Sequence, residues 1–327
     1  MPPAPDPITG EAGTPPRRVD TFTIVLLIAL GIAPIVGVLW YMRPIDWPFD
    51  AAQARRRQAG AAKRLGVEPT QTVTAAGASF ELVLVPPGQF MMGSPRGEPH
   101  REGKEELRRE TIGDAFYMSA TEVTRGQFSA FASATSYKTD AERTGYAHVN
   151  SGPEKGWEKR AGASWREPGF EQTDDHPVVC VTLKDAGEFC RWLSAELGRT
   201  VRVPSGPEWE YACRAGAEAA YHWGDDYREA SAYCNLSGAE AAAHWPDWDQ
   251  CADWDDGFVF TAPVRSFQPN AWGLYDMAGN AEESTANGPC RGGSWNVDPW
   301  WYCRSAHRSN PANGYSSEGF RIVVEIE

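Results

Sequence analysis

The stretch "GNAEESTANGPCRGGSWNVDPWWYCRSAHRS", Gly279 to Ser309, decides how the chain folds. It holds a glycine turn, paired acids at Glu282 and Glu283, cysteines at 290 and 303, and a dense group of tryptophans. From Gly216 onward the helical signal nearly vanishes, and short apolar runs sit among Gly, Asn, Asp and Pro. Such a segment reads as loops forming the wall of a site. The same character marks the whole chain, which carries 32 Gly, 25 Pro and 14 Trp. Together these residues point to a loop-rich fold pinned by aromatic packing.

The 327 residues are 42% hydrophobic and 23% charged, a globular composition long enough for one large domain or two ordinary ones. A net charge of −13 excludes a nucleic-acid role, because binding phosphates requires a basic face. The seven cysteines form no CxxC pair and have no zinc-finger spacing with histidine, and the six histidines are scattered. A histidine-ligated zinc or iron site therefore has no support in the sequence.

Toward the N-terminus, residues 1–20 are Pro-rich and read as a disordered tail. "TFTIVLLIALGIAPIVGVLWYM", Thr21 to Met42, has no charge over 22 residues. As a helix it would run about 33 Å, enough to cross a bilayer core. Trp40 and Tyr41 suit an interfacial belt, and no small-residue cleavage site follows, so a single uncleaved transmembrane anchor is expected. A short tail before a large C-terminal domain predicts that the domain lies outside, in the periplasm or an extracellular space. Residues 43–75, with "AAQARRRQAGAAKRLG", read as a solvated linker helix, or as a basic stretch lying on anionic lipid. The globular domain is expected over 76–327.

Within it, "FELVLVPPGQFMMGS" alternates, turns at Pro-Pro-Gly and resumes, which predicts a hairpin. "FYMSATEVTRGQFSAFAS" predicts a strand and then a helix from about Thr124. "VTLKDAGEFCRWLSAELG" predicts a helix capped by Thr182, ended by Gly198 and buried along Ala186, Phe189, Cys190 and Leu193. Ser205 and Glu208 in "VPSGPEWEYACRAG" form a capping box.

The blocks "VPPGQFMMGS", "TEVTRGQFSAF", "HPVVCVTLKDAGEFCRWL", "VPSGPEWEYACRAG", "TAPVRSFQPNAWGLYDMAGN", "RGGSW" and "GFRIV" occur in this order between residues 85 and 324. Together they resemble the sulfatase-modifying-factor family, whose name-giver is the formylglycine-generating enzyme. The resemblance implies an α+β, loop-rich, C-type-lectin-like fold. It also implies two structural calcium sites, one matching Asn235, Leu236, Asp256 and Phe258, the other Asp276, Gly279, Ala281 and Glu283. Hard oxygen donors from irregular loops suit that ion. The alternative for these acids is that they cap turns.

The family's oxidase chemistry uses a pair of copper cysteines three and eight residues beyond the Gly-Gly-Ser block. Here Gly292, Gly293 and Ser294 are intact, but those positions hold Val297 and Tyr302. Cys303 lies next to the second of them, and aligning "CRSAHR" from its right side takes it off the copper site altogether. A valine cannot hold copper(I), so copper is not expected. If the chain were an oxidase, Ser294 and Cys303 would be its catalytic residues. Glu282 and Ser284 stand where the family commonly has tryptophans. Cys190 and Cys213 match family disulfide positions; the family's partner for Cys213 aligns with Ser305, which leaves Cys303 as a candidate partner, and Cys290 with Cys303 is a second pair.

The C-terminal segment also resembles the variable proteins made by diversity-generating retroelements, which display a changeable face on this fold. Trp300, Trp301, Tyr302, His307 and Tyr315 are the expected ligand-binding surface, since large rings among small polar residues bury much area with few rotors. Trp300 to Tyr302 cannot all face inward if the run is one extended strand. The function expected is a membrane-anchored domain that binds a protein or other ligand without copper chemistry. The alternatives are an oxidase acting on a client sulfatase and an envelope-complex assembly factor.

Overall fold

Capping chemistry and two short turns set the framework. A computed structural model describes residues 46–152, 154–248, 251–252, 254–286, 288–296, 300–310 and 313–326. The tail and the expected membrane anchor lie outside these residues. Among the described residues no helix is long and apolar enough to cross a membrane.

The central sheet is antiparallel, in the order β1, β2, β5, β11, β8. These strands are β1 (Thr70–Ala75), β2 (Ala78–Val85), β5 (Phe116–Ser119), β8 (Val201–Arg202) and β11 (Val323–Glu325). Ala76 and Gly77 join the first two with φ of 47° and 81°, the left-handed pair that a two-residue hairpin turn requires. The hairpin expected across Pro86-Pro87-Gly88 does not form. Instead β3 (Gly88–Met92) leaves the sheet and pairs with β4 (Arg108–Ile112). The Pro-Pro-Gly step supplies no left-handed pair, so it redirects the chain rather than reversing it.

One face of the sheet is covered by α2 (Arg125–Thr135) and α4 (Leu183–Leu197). Both begin with a capping box, Thr124 with Gln127 and Thr182 with Asp185. Phe128, Phe131, Phe189 and Phe320 pack edge to face or stacked between them, at centroid distances of 5.3 to 6.4 Å. The expected stripe of Ala186, Phe189, Cys190 and Leu193 is buried, joined by Asp185 and Trp192. A short α3 (Asp140–Thr144) leads to a separate hairpin of β6 (Tyr146–Asn150) and β7 (Trp157–Ala161). The capping box at Ser205 opens α5 (Gly206–Arg214), and α6 (Ala239–His244) is the last α-helix of the described residues. Beyond it come irregular loops with one parallel pair, β9 (Glu282–Glu283) and β10 (Glu318–Gly319).

Residues 46–75, read from sequence as linker, pack onto the domain. α1 (Ala51–Leu65) is helical as expected, but Ala54, Gln58, Ala61 and Ala62 are buried against the domain, and β1 is an edge of the sheet. The Gln58 amide donates to the carbonyls of Leu84 at 2.9 Å and Trp272 at 3.2 Å. Trp47 and Phe49 are buried, and Phe49 N–H donates to Gly216 O at 3.1 Å. Cys190, Cys213 and Cys303 are buried and outside any disulfide, so the pairings expected of them do not form. Cys213 Sγ lies 3.6 Å from Ser305 Oγ, the residue on the family's partner position. A serine there offers a hydrogen bond in place of a bond between sulfurs.

Candidate functional site

Three buried arginines hold the C-terminal loops in place. Arg321 donates to both carboxylate oxygens of Glu283 at 2.6 Å, and Trp209 Nε1 adds a bond of 2.8 Å to the same carboxylate. Arg291 reaches Glu210 at 2.6 Å and the Ser305 carbonyl at 2.9 Å. Arg304 ties the end of the aromatic run to a loop near residue 100, reaching Glu98 at 2.7 Å, Glu105 at 2.8 and 2.9 Å and the His100 carbonyl at 2.8 Å. Burial alone would raise the Glu105 carboxyl, but the Arg304 hydrogen bonds and charge bring it below its ordinary range. None of these pairs was singled out from sequence. The only signal was that each arginine sits inside one of the quoted motifs.

Gly292 and Gly293 turn with φ of 91° and 70°. A side chain at Gly293 would meet Cys303 Sγ at 2.6 Å, so the turn and the cysteine fit only with glycine there. Behind this turn Cys303 is 2% exposed and packs with Ala220, Cys234, Leu236 and Ala278. Burial pushes its thiol well up, away from the thiolate. Ser294 Oγ donates to Asn296 Oδ1 at 2.8 Å, and Ser294 lines a cleft of about 420 Å³ with Glu282, Trp157, Tyr302 and His307. Ser294 and Cys303, the pair an oxidase would use, thus point to different sides of the Gly-Gly turn. Val297 lies outside the described residues.

The aromatic run is not an extended strand. Trp300–Cys303 form one turn of 3₁₀ helix, which sends successive rings in different directions. Trp300 stacks on Tyr227 at 4.0 Å and lines a second cleft, of about 580 Å³, with Tyr221, Glu98 and Asp225. Trp301 stacks on His100 at 3.9 Å. Tyr302 packs on His307 at 4.7 Å in the first cleft. Tyr315 stacks on His148 at 4.8 Å and meets Trp157, which lines that cleft, edge-on at 4.6 Å. The surface expected as one patch is therefore divided, with Tyr302, His307 and Tyr315 on one side and Trp300 on another. Burial lowers His307 to about 4, so it is neutral at physiological pH.

The residues matched to calcium sites separate in the same way. Asn235 is fully buried; its Nδ2 donates to Phe260 O at 2.8 Å, while its Oδ1 has no partner. Asp256 accepts the backbone N–H of Leu236 at 2.7 Å and of Phe258 at 3.0 Å. Burial raises Asp256 to about 6 despite those bonds. An unpartnered buried amide oxygen beside a desolvated carboxylate fits a hard cation. At the second constellation the Glu283 carboxylate is committed to Arg321 and Trp209 and is not available to an ion while they hold it. Asp276 keeps a buried Oδ1 without a partner, and Gly279 is packed so closely that a side chain there would meet Asn235 O at 2.2 Å. Ala281, the remaining carbonyl of that set, is buried beside them. A further buried acid, Glu122, which sequence reading missed, also has an unpartnered oxygen, and burial followed by the Asp276 charge pushes its carboxyl well up.

With this geometry in view, the comparisons with known proteins are direct. The family model described as "Sulfatase-modifying factor enzyme 1-like domain" matches residues 69–326. The "Formylglycine-generating enzyme" of Bos taurus is 34% identical over 264 residues, covering 74% of this chain and 64% of that one. The "Inactive C-alpha-formylglycine-generating enzyme 2" of the same organism is 31% identical over 235 residues, covering 64% and 72%. The chain spans 64% of the bovine and 58% of the Mus musculus formylglycine-generating enzyme, less than two thirds of either. Among solved structures, PvdO from Pseudomonas aeruginosa superposes with a TM-score of 0.64 at 27% identity, over 79% of this chain and 99% of that one. Treponema denticola variable protein 1 superposes at 0.57 and 19% identity, over 80% and 100%, a likeness of fold. The chain belongs to the family of the sulfatase-modifying factor enzyme 1-like (FGE-sulfatase) domain, and its fold is the mixed α/β, loop-rich fold of that family.

Proposed function

We propose that the domain is a binding module that takes a protein or other ligand in the cleft between Tyr302, His307 and Tyr315, without copper-oxidase chemistry. The observation that carries this reading is the placement of Cys303. It is the one cysteine near a copper position of the family, and it is buried behind Gly293, away from the cleft. Copper(I) is held by thiolates, and a buried neutral thiol, with valine in the sequence at the other copper position, offers no pair. The contact of Cys213 with Ser305 supports the alignment that takes Cys303 off the copper position. Relatives bearing both active and inactive names are consistent with a family in which fold and oxidase activity separate.

The same proposal includes a structural calcium ion at Asn235 and Asp256, with the carbonyls of Leu236 and Phe258 completing its oxygen set. It also includes attachment to a membrane through residues 21–42, with the domain in the periplasm or outside the cell. The ion would neutralise the desolvated carboxylate and tie together loops poor in regular structure.

The test of function is chemical. The full chain, supplied with copper(I), oxygen and a peptide bearing a sulfatase-type cysteine motif, is expected to leave the cysteine unchanged by mass spectrometry. Conversion of that cysteine to an aldehyde would overturn the reading and establish the oxidase.

A further inference from the structure

The β9–β10 pair sets two acids directly across from each other, since Glu282 is in register with Glu318. Side chains alternate along a strand, so Glu283 faces its buried arginine while Glu282 faces the cleft. The neighbouring chain, bridged to β9 by the paired backbone bonds of Glu283 and Arg291 at 2.8 and 3.0 Å, brings Cys290 alongside. One ligand atom each of Glu282, Cys290 and Glu318 lies within 4.8 Å of the others, with Cys290 and Glu318 buried. The three come from separate segments, each held by its backbone. Cys290 exchanges bonds with residues 309 and 310, and Glu318 Oε2 accepts the N–H of Asn313 at 2.8 Å and Tyr315 at 3.0 Å. Like charges facing each other across a strand pair repel, and burying them is costly unless something neutralises them.

A second observation points to what does so. His307 lines the same cleft as Glu282, is 4% exposed, and its Nδ1 is buried with no partner. Its Nε2 lies 3.7 Å from a Glu102 carboxylate oxygen, while the Nδ1 nitrogen has no partner of its own. Two carboxylates and a thiolate, with a neutral imidazole on the wall of the adjoining cleft, offer O, S and N donors. Magnesium and calcium avoid sulfur, and copper(I) prefers a softer set, whereas zinc accepts all three donor types.

We infer that Glu282, Cys290 and Glu318, with His307 at the cleft wall, form a binding site for a divalent ion of the zinc class. The bond lengths of about 2.0 to 2.3 Å place tetrahedral ligands roughly 3.3 to 3.8 Å apart, so movements of order 1 Å bring Glu282, Cys290 and Glu318 onto one ion. The thiol releases its proton as the ion binds. The site shares His307 and the cleft with the binding-module reading, but its readout is metal uptake, so its failure is distinguishable from failure of that reading.

The experiment is a titration of the full, metal-stripped chain with Co²⁺, a coloured stand-in for zinc. The expected result is one equivalent bound, with a thiolate-to-cobalt charge-transfer band in the near ultraviolet that Zn²⁺ abolishes. Cys290→Ser removes the band, and Glu282→Gln and Glu318→Gln each weaken binding tenfold or more. Glu282→Gln, at the cleft wall, keeps the test valid if Cys290→Ser fails to fold, which thermal melting reports. The absence of saturable one-to-one binding, a cobalt spectrum without the band, or carboxamide variants that bind as tightly as the parent would each overturn the site.

Discussion

Arg304→Met removes the guanidinium that bonds Glu98, Glu105, Ser94 and the His100 carbonyl, while keeping much of its volume. Arg304 is 1% exposed and Glu105 is fully buried, so the variant leaves a carboxylate without its counter-charge in the interior. Breaking a buried pair from one side costs about 3–5 kcal/mol. In a domain of this size that lowers the melting temperature by roughly 10 °C. The pH dependence separates this cause from simple loss of packing. In the parent, Arg304 holds Glu105 below its ordinary value of 4.5, so the pair's contribution is complete above that value and is lost as pH falls through the lower folded value. In the variant, burial dominates and Glu105 takes up a proton more readily, which relieves the penalty in acid. The gap between parent and variant is therefore widest near neutrality and narrows at acid pH. Glu105→Gln added to Arg304→Met recovers part of the loss at neutral pH. Melting curves followed by circular dichroism from pH 4 to 8 measure all three. A loss below about 1 kcal/mol at neutral pH, or a gap that does not vary with pH, would refute the reasoning.

Further outcomes follow from single features. Calcium raises the melting temperature of the parent and leaves Asp256→Asn unmoved; a parent indifferent to both calcium and chelator would remove the ion from the account. Without calcium, Asp256 has a folded pKa raised to about 6, so stability falls as pH rises from its ordinary value of 3.8 toward 6 and levels above that, and added calcium flattens this slope. Gly293→Ala forces a side chain onto Cys303 Sγ at a φ of 70°, and chemical denaturation is expected to show a loss of about 1–3 kcal/mol. Phe189→Ala, which empties the meeting point of Phe80, Phe128, Phe131, Trp192 and Phe320, is expected to lose about 3–5 kcal/mol in the same assay.

Local chemistry was legible from sequence wherever it acts over a few residues. The caps at Thr182 and Ser205, the ending at Gly198 and the stripe through Phe189 all rest on neighbours one to four positions apart. The helix in residues 51–65 was legible too, but its docking was not. Its buried face is Ala54, Gln58, Ala61 and Ala62, evenly spaced yet too small to give an apolar signal beside five basic side chains. Strand pairing failed at Pro86-Pro87-Gly88 because the partner of β3 lies beyond an irregular loop, and nothing in the turn names it. The site shows the same limit. The bonds of Arg304 span about two hundred residues, and the Glu282 to Glu318 pairing depends on the register of two-residue strands. The rings of Trp300, Trp301 and Tyr302 were visible as a surface, but a single 3₁₀ turn decided which cleft each one serves.

The central claim is that this domain acts as a binding module without a copper centre. Its most direct measurement is the copper(I) affinity of the reduced full chain in competition with a chromogenic copper(I) chelator, compared with Cys303→Ser. The account predicts that the parent draws no copper(I) from the chelator and that the two chains give the same curve. Tight one-to-one uptake by the parent that Cys303→Ser abolishes would contradict it.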